Sequence, residues 1–216
     1  MEIVVVGATG ATGLLVCRQA LAAGHCVRAV TRRPDPFPIT DPALTVVRAD
    51  AVSGEGMTAA VSGADAVLSS LGASYTRREV TVYSAGVRHL VEGIRAGGRG
   101  ARLVVVSAGL AYPPPADAPF PWLARHVAFP LLRNMFGRTL YADMRRMEHE
   151  LLSCDDVAWT VLRPGRLVDG DAVSSYRLDE GFPTQGVTTR RDLAAALLAE
   201  VGPRPHVHAV LAPTTR

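Results

Sequence analysis

The first thirteen residues constrain this chain more than any other stretch. Val4-Val5-Val6-Gly7-Ala8-Thr9-Gly10-Ala11-Thr12-Gly13 sets three glycines at three-residue intervals between a β-branched run and a segment of helical spacing. That context fits a strand turning sharply into a helix. Gly7 lets the chain leave the strand, Gly10 removes a Cβ so that backbone can approach a pyrophosphate, and Gly13 lets the helix pack closely on the sheet. The helix amino end then offers free N–H groups and the positive end of its dipole to an anion. Thr9 and Thr12 add hydroxyl donors. Gly7, Thr9, Gly10, Ala11, Thr12 and Gly13 are the candidate dinucleotide-binding residues of this turn. The alternative is a tight turn that holds no ligand.

The chain continues the same pattern. Strand signals at Ile3–Val6, Cys26–Val30, Leu44–Arg48, Ala66–Leu71, Leu103–Val106 and Ala158–Leu162 alternate with helical spacing at Ala11–Ala23, Val80–Ala96 and Asp192–Val201. Val207–Leu211 reads as a last strand. Strands that are apolar throughout and alternate with helices predict an α/β fold, a single doubly wound parallel sheet of the Rossmann kind with helices on both faces. With 216 residues, 48% of them hydrophobic, and no internal repeat, residues 1–216 read as one domain with a full core.

All 23 residues of the Lys+Arg total are arginine. This excludes Schiff-base lysine chemistry and a P-loop lysine. Arginine binds anions but does not relay protons near neutral pH. The arginines are scattered, so the net charge of +3 reads as a solvated surface and no nucleic-acid partner is expected. Cys17, Cys26 and Cys154 show no metal spacing. Cys17 and Cys26 are expected in core elements, and an odd number of thiols suits a reducing cytoplasm. His206 and His208 fall on one side of the expected last strand without a carboxylate partner, so no metal is expected. The chain opens directly into a strand, with no signal peptide to be seen, and no apolar run reaches the roughly 18 residues of a span. A cytoplasmic location without membrane contact is the expectation.

The end of the second strand selects the cofactor. A site for NAD usually carries an acid there to hold the ribose hydroxyls. Here the chain reads Thr31-Arg32-Arg33-Pro34. Two guanidinium groups suit a 2′-phosphate, so NADP(H) is expected over NAD(H), with Arg32 and Arg33 as its readers. Asp35 lies close, but Pro34 separates it from the strand end. Asp50-Ala51 follows the third strand, where an acid can hydrogen-bond an adenine amino group or can cap a helix. Ser70-Leu71-Gly72 ends the fourth strand and can run beside the adenine ribose.

Two stretches resist the alternating scheme. Residues 111–139 carry six prolines together with Phe120, Trp122, Phe129 and Phe136. They follow the fifth strand, at the carboxyl edge where open α/β sheets bind ligands. They read either as a substrate lid or as a packing or dimer-contact segment. The second stretch, 169–185, is polar and irregular.

These residues resemble the atypical short-chain dehydrogenase/reductase superfamily, and within it the NAD(P)-binding, NmrA-like group that includes biliverdin reductase B (flavin reductase). The resemblance covers nearly the whole chain. It is carried by the glycine turn, Thr31-Arg32-Arg33, Asp50-Ala51, Asp65-Ala66-Val67 through Leu71-Gly72, Val106-Ser107-Ala108, Trp159 to Gly165 and Thr189 to Ala194. It implies an NAD(P)-binding domain in which Ala51, Leu71, Gly72, Ser107 and Pro164 also line the cofactor site. It implies little acid–base demand, because the protein mainly positions two rings. Ser107 then orients the nicotinamide or polarises an acceptor carbonyl, unless it only ends its strand. Arg166 can hold an anionic substrate, unless it is a surface arginine. The lysine-dependent branch of the superfamily uses Tyr-x-x-x-Lys; here the nearest match is Tyr141 followed by Arg145, one helical turn on. Arg145 can lower the tyrosine pKa but cannot relay its proton. Packing is the preferred reading of Tyr141.

The resulting expectation is an NADPH-dependent reductase of a flavin, quinone or conjugated carbonyl, with a flat acceptor that can be anionic and a chain that can pair as a homodimer. The alternatives are a non-catalytic NADP(H)-binding redox sensor and a sugar-nucleotide epimerase or dehydratase. The latter is disfavoured by the missing Tyr-x-x-x-Lys pair and by the lack of a substantial substrate domain.

Overall fold

The computed structural model describes residues 1–34, 36–183, 186–202 and 206–216. Its centre is an eight-stranded sheet in the spatial order β3-β2-β1-β4-β5-β6-β10-β8. The strands are β1 (Glu2–Val6), β2 (Cys26–Thr31), β3 (Leu44–Arg48), β4 (Ala66–Ser69), β5 (Arg102–Val106), β6 (Trp159–Leu162), β8 (Arg177–Glu180) and β10 (Ala209–Thr214). Two short strands, β7 (Arg166–Val168) and β9 (Val187–Thr189), form a separate parallel pair. Every neighbouring pair in the main sheet is parallel except β10–β8. The chain order reverses between β1 and β4, so the carboxyl ends of these strands diverge there and leave a crevice.

Both faces of the sheet are apolar because both are covered. Val4, Val6, Val67, Leu103, Val105 and Val161 point to one face and meet α2 (Met57–Val61), α3 (Val82–Gly97) and α5 (Arg138–Leu152). Ile3, Val5, Leu68, Val104 and Leu162 point to the other and meet α1 (Ala11–Ala22) and α6 (Arg190–Ala199). The alternation along each strand thus separates two apolar layers, not an apolar layer from a wet one.

The doubly wound α/β reading stands, with adjustments. The sheet is mostly parallel, because β8 adds an antiparallel edge out of the stretch that reads as irregular. Strand β4 stops at Ser69, two residues early, because Ser70 turns its hydroxyl back onto the Val6 carbonyl at 3.2 Å. Cys26 is exposed because it opens β2 one residue before the pairing with β3 begins; Cys17 is buried, and burial pushes its thiol up to about 12. His206 and His208 precede β10 and lie outside it. His208 has φ 55° and its ring nitrogen meets the Val157 carbonyl at 3.0 Å, whereas the His206 ring meets Glu200 at 2.9 Å. They share no strand face. Among the described residues no helix is long and apolar enough to cross a membrane.

One buried carboxylate joins the helices of the first layer. Asp143 of α5 is fully buried and accepts from the Tyr83 amide at 2.9 Å and the Ser84 hydroxyl at 2.5 Å. It caps the open amino end of α3 from a neighbouring helix, where no local side chain does so. Asp143→Ala is expected to destabilise the fold by about 2–3 kcal/mol, because it orphans buried donors as well as removing a charged acceptor. The shift of the urea unfolding midpoint measures this.

Candidate functional site

A cleft of about 1350 Å³ runs over the carboxyl ends of β2, β1, β4, β5 and β6. Its first part is built by the β1–α1 turn. Gly7 has φ +80°, and a Cβ there would stand 2.8 Å from the Ser70 carbonyl oxygen. Gly13 is buried; a Cβ there would overlap the Gly7 carbonyl, so the helix rests directly on the turn. Gly13 itself does not line the cleft, while Gly7, Thr9, Gly10, Ala11 and Thr12 do. Gly10 enters the helix with extended backbone (φ −71°, ψ 158°), and no side chain caps α1. The first amides of α1 are therefore left to an anion.

Thr31, Arg32 and Arg33 close this part of the cleft at the end of β2. The Thr31 hydroxyl accepts from the Arg33 amide at 3.1 Å and so fixes the bend after the strand. Both arginines are exposed, and neither guanidinium has an ion-pair partner among the described residues. Asp35 lies outside the described residues. Asp50 lines the cleft, yet its Oδ1 accepts from the Val52 amide at 2.8 Å, so it caps its own turn as well. Ala51, Leu71 and Gly72 line the same wall, and Leu71 fills the notch that Gly86 leaves in α3. A glycine cradle, an uncapped helix end and two unpaired guanidinium groups fit a phosphorylated dinucleotide.

The second part of the cleft is aromatic. Tyr75, Phe120, Phe129, Tyr141 and Phe182 line it, with Leu132, Leu140 and Met144. Phe120 stands edge-on to Phe129 at 5.2 Å and to Phe182 at 5.9 Å. Part of the segment 111–139 therefore does form a wall of the cleft. From the other side Phe182 and Pro183 reach the cleft; earlier in the same stretch Ser174 is pinned by Asp192, which accepts its amide at 2.7 Å and its hydroxyl at 2.9 Å. Thr184 and Gln185 of that stretch lie outside the described residues. Pro164 and Arg166 line the cleft between the two parts, and Arg166 is exposed.

Ser107 lies at the floor, just past β5. Its hydroxyl donates to Glu148 Oε1 at 2.5 Å. Glu148 is 2% exposed and is ion-paired with Arg163, whose Nε lies 3.1 Å from both carboxylate oxygens. The Arg163 guanidinium in turn covers the Tyr112 ring at 4.1 Å from its centre. Sequence reasoning missed Glu148 and kept Arg163 only as part of a motif. The signal was available: Tyr141, Met144, Met147, Glu148 and Leu151 follow one buried helical face, and a carboxylate in such a stripe needs a cation.

Tyr141 is not activated. Burial pushes its phenol well above the ordinary range, and the hydroxyl it meets at 2.7 Å, that of Tyr75, adds to the effect. The expected influence of Arg145 is absent because its Nη1 donates to the Ala111 carbonyl at 2.8 Å. Tyr141 still lines the cleft, so packing and contact with a bound molecule coincide in it.

A family model described as NAD(P)H-binding matches residues 7–202, and the chain belongs to that family. Its fold is similar to that of a Streptococcus pneumoniae protein provisionally named an NADH-flavin reductase (20% identity, TM-score 0.77, all of both chains covered). It is also similar to a Veillonella parvula short-chain dehydrogenase/reductase solved with NADP (14% identity, TM-score 0.76, 98% of this chain and 93% of that one). A third similar structure is a Bacteroides thetaiotaomicron protein provisionally named an epimerase (21% identity, TM-score 0.70, 99% and 96%). At these identities the likeness concerns the fold.

Glu148→Ala leaves the Arg163 guanidinium without its anion and is expected to cost about 3–5 kcal/mol of stability. Ser107→Ala removes one hydrogen bond and is expected to cost only about 1 kcal/mol. Denaturation midpoints of the two variants measured side by side test this ordering.

Proposed function

We propose that this member of the NAD(P)H-binding family is a reductase that takes NADPH in preference to NADH and passes hydride to a flat, apolar acceptor such as a flavin, a quinone or a conjugated carbonyl. The observation that carries the reading is the continuity of one cleft. It joins the glycine turn and the exposed Arg32 and Arg33 to an aromatic chamber, with Ser107 on the floor. The provisional name of the similar Streptococcus pneumoniae protein supports flavin reduction, while the choice of NADPH rests on Arg32 and Arg33.

The dinucleotide, when bound, supplies the hydride. The chain's residues do the rest. The α1 amides and the glycine turn hold the pyrophosphate, and Arg32 and Arg33 hold the 2′-phosphate. The Ser107 hydroxyl donates its hydrogen bond to Glu148, so it turns lone pairs toward the cleft. It therefore accepts a hydrogen bond from an amide N–H, on a nicotinamide carboxamide or a flavin imide, and does not polarise a carbonyl. Phe120, Phe129 and Phe182 exclude water from the acceptor. Among the described residues of the chamber none is an activated base, which suits hydride transfer to an electron-poor ring and not proton abstraction from a sugar. Arg166, exposed at the rim, is placed to meet a phosphate or carboxylate on the acceptor.

Arg32→Ala/Arg33→Ala is expected to weaken NADPH binding by about 10- to 100-fold while leaving NADH binding unchanged, since the two exposed charge-assisted contacts together are worth roughly 1.5–3 kcal/mol. Fluorescence titration with both dinucleotides reads this, and an unchanged preference overturns the phosphate assignment. Absorbance loss of NADPH with FMN and with menadione tests turnover directly. Binding without oxidation across flavins, quinones and enones supports the redox-sensor reading instead.

A further inference from the structure

The wall of the cleft has an outer side that the reductase reading leaves unused. Residues 124–136 wind as a π-helical turn, the short α4 (Phe129–Leu131) and a second π-helical turn. Trp122, Leu123, Val127, Leu131, Leu132, Met135 and Phe136 are all exposed along this segment, Trp122 at 70% and Met135 at 66%. Seven of the thirteen large exposed apolar side chains among the described residues thus fall within fifteen positions. Their recurrence as 122/123, 127, 131/132 and 135/136 follows the wide winding of i→i+5 bonding, so they form one stripe. Isolated surface leucines need no cause, but a contiguous stripe of this kind does.

Charge selects what covers it. Between Asp117 and Asp143 there is no acidic residue, while Arg125, Arg133 and Arg138 and His126 all lie in that interval. Arg125 is held by the carbonyls of Pro115, at 2.9 Å, and of Ala116 and Ala118, so its charge is fixed in this segment without an anion. The Arg133 Nη1 is buried and has no hydrogen-bond partner among the described residues. A second copy pairing through this stripe about a two-fold axis would set this cationic segment, which carries no acidic residue between Asp117 and Asp143, against the same segment of the copy. An anionic bilayer surface instead offers hydrocarbon to Trp122, Leu123, Met135 and Phe136 and phosphate to the arginines.

We infer that residues 121–138 dock this protein on an anionic lipid surface, with the stripe lying in the headgroup boundary. No spanning segment is needed for such a contact. Phe129 and Leu132 belong to the docking segment and also line the cleft, so the cleft opens beside the lipid. A lipid-dissolved quinone would then reach the aromatic chamber without crossing water. That last consequence rests on the reductase reading; the docking itself does not.

The test is flotation of the full chain with phosphatidylcholine–phosphatidylglycerol vesicles and with pure phosphatidylcholine vesicles. We expect binding to the anionic vesicles and at least about tenfold weaker binding to the neutral ones, as three arginines near a charged surface require. Trp122→Ser/Met135→Ser is expected to abolish flotation while soluble menadione or FMN reduction stays as in the parent, because neither side chain lines the cleft. No flotation, or equal flotation with both vesicles, overturns the docking. So does a dimer in sedimentation equilibrium that the same double variant dissociates. Flotation without any acceptor reduction leaves the docking standing and removes the reductase reading.

Discussion

Everything in this molecule depends on how closely α1 can approach the end of β1. Gly13 rests on the carbonyl of Gly7, at a separation that excludes even a methyl group. That contact sets the tilt of α1 on the sheet and aims its uncapped amino end into the cleft. Gly7 in turn presses on the Ser70 carbonyl, so the turn and the end of β4 are fixed together. The two strands that flank the crevice, β1 and β4, are thereby locked at their carboxyl ends. A residue with a Cβ at either glycine would move helix, turn and crevice at once.

Buried charge organises the other half. Asp143 and Glu148 lie on the same helix, α5, and both are fully buried. One ties α3 to α5, and the other ties α5 to Ser107 and to Arg163 beyond β6. Such groups contribute little net stability compared with well-packed hydrocarbon, but they are intolerant of misplacement, because an unpaired buried charge is expensive. They fix which side of Ser107 faces the cleft, and so turn a strand-end serine into a defined hydrogen-bond acceptor.

The fold was largely legible because its signals are local and repeated. The apolar runs of β1, β2, β4, β5 and β6 and the periodicity of α1 and α3 each state their own structure. The dinucleotide part of the cleft was legible for the same reason, since glycine spacing is itself the geometry. The rest was not, because it is built from distant partners. Glu148 means nothing without Arg163, and the Asp143 cap cannot be seen from α3 alone. Strands β7, β8 and β9 have three or four residues each, too few to show alternation. Tyr141 and Arg145 have the right helical spacing, yet a single carbonyl, that of Ala111, takes Arg145 away. The stripe at 122–136 was visible as aromatic content, but which residues face outward depends on π-helical winding that sequence periodicity does not encode.

The pairing of Glu148 with Arg163 also bears on how the molecule assembles. Strands β1, β2 and β4 pair with neighbours that lie close along the chain. Helix α5 is different. Its inner face carries a carboxylate that stays hydrated until β6 delivers a guanidinium fifteen residues later. Seating α5 before that would strip water from an uncompensated charge. Helix α5 therefore seats only together with β5 and β6, and on the other face α1 has no partner helix until α6, near the end of the chain, is made. A chain leaving the ribosome would hold both layers open until its last helix and strand arrive.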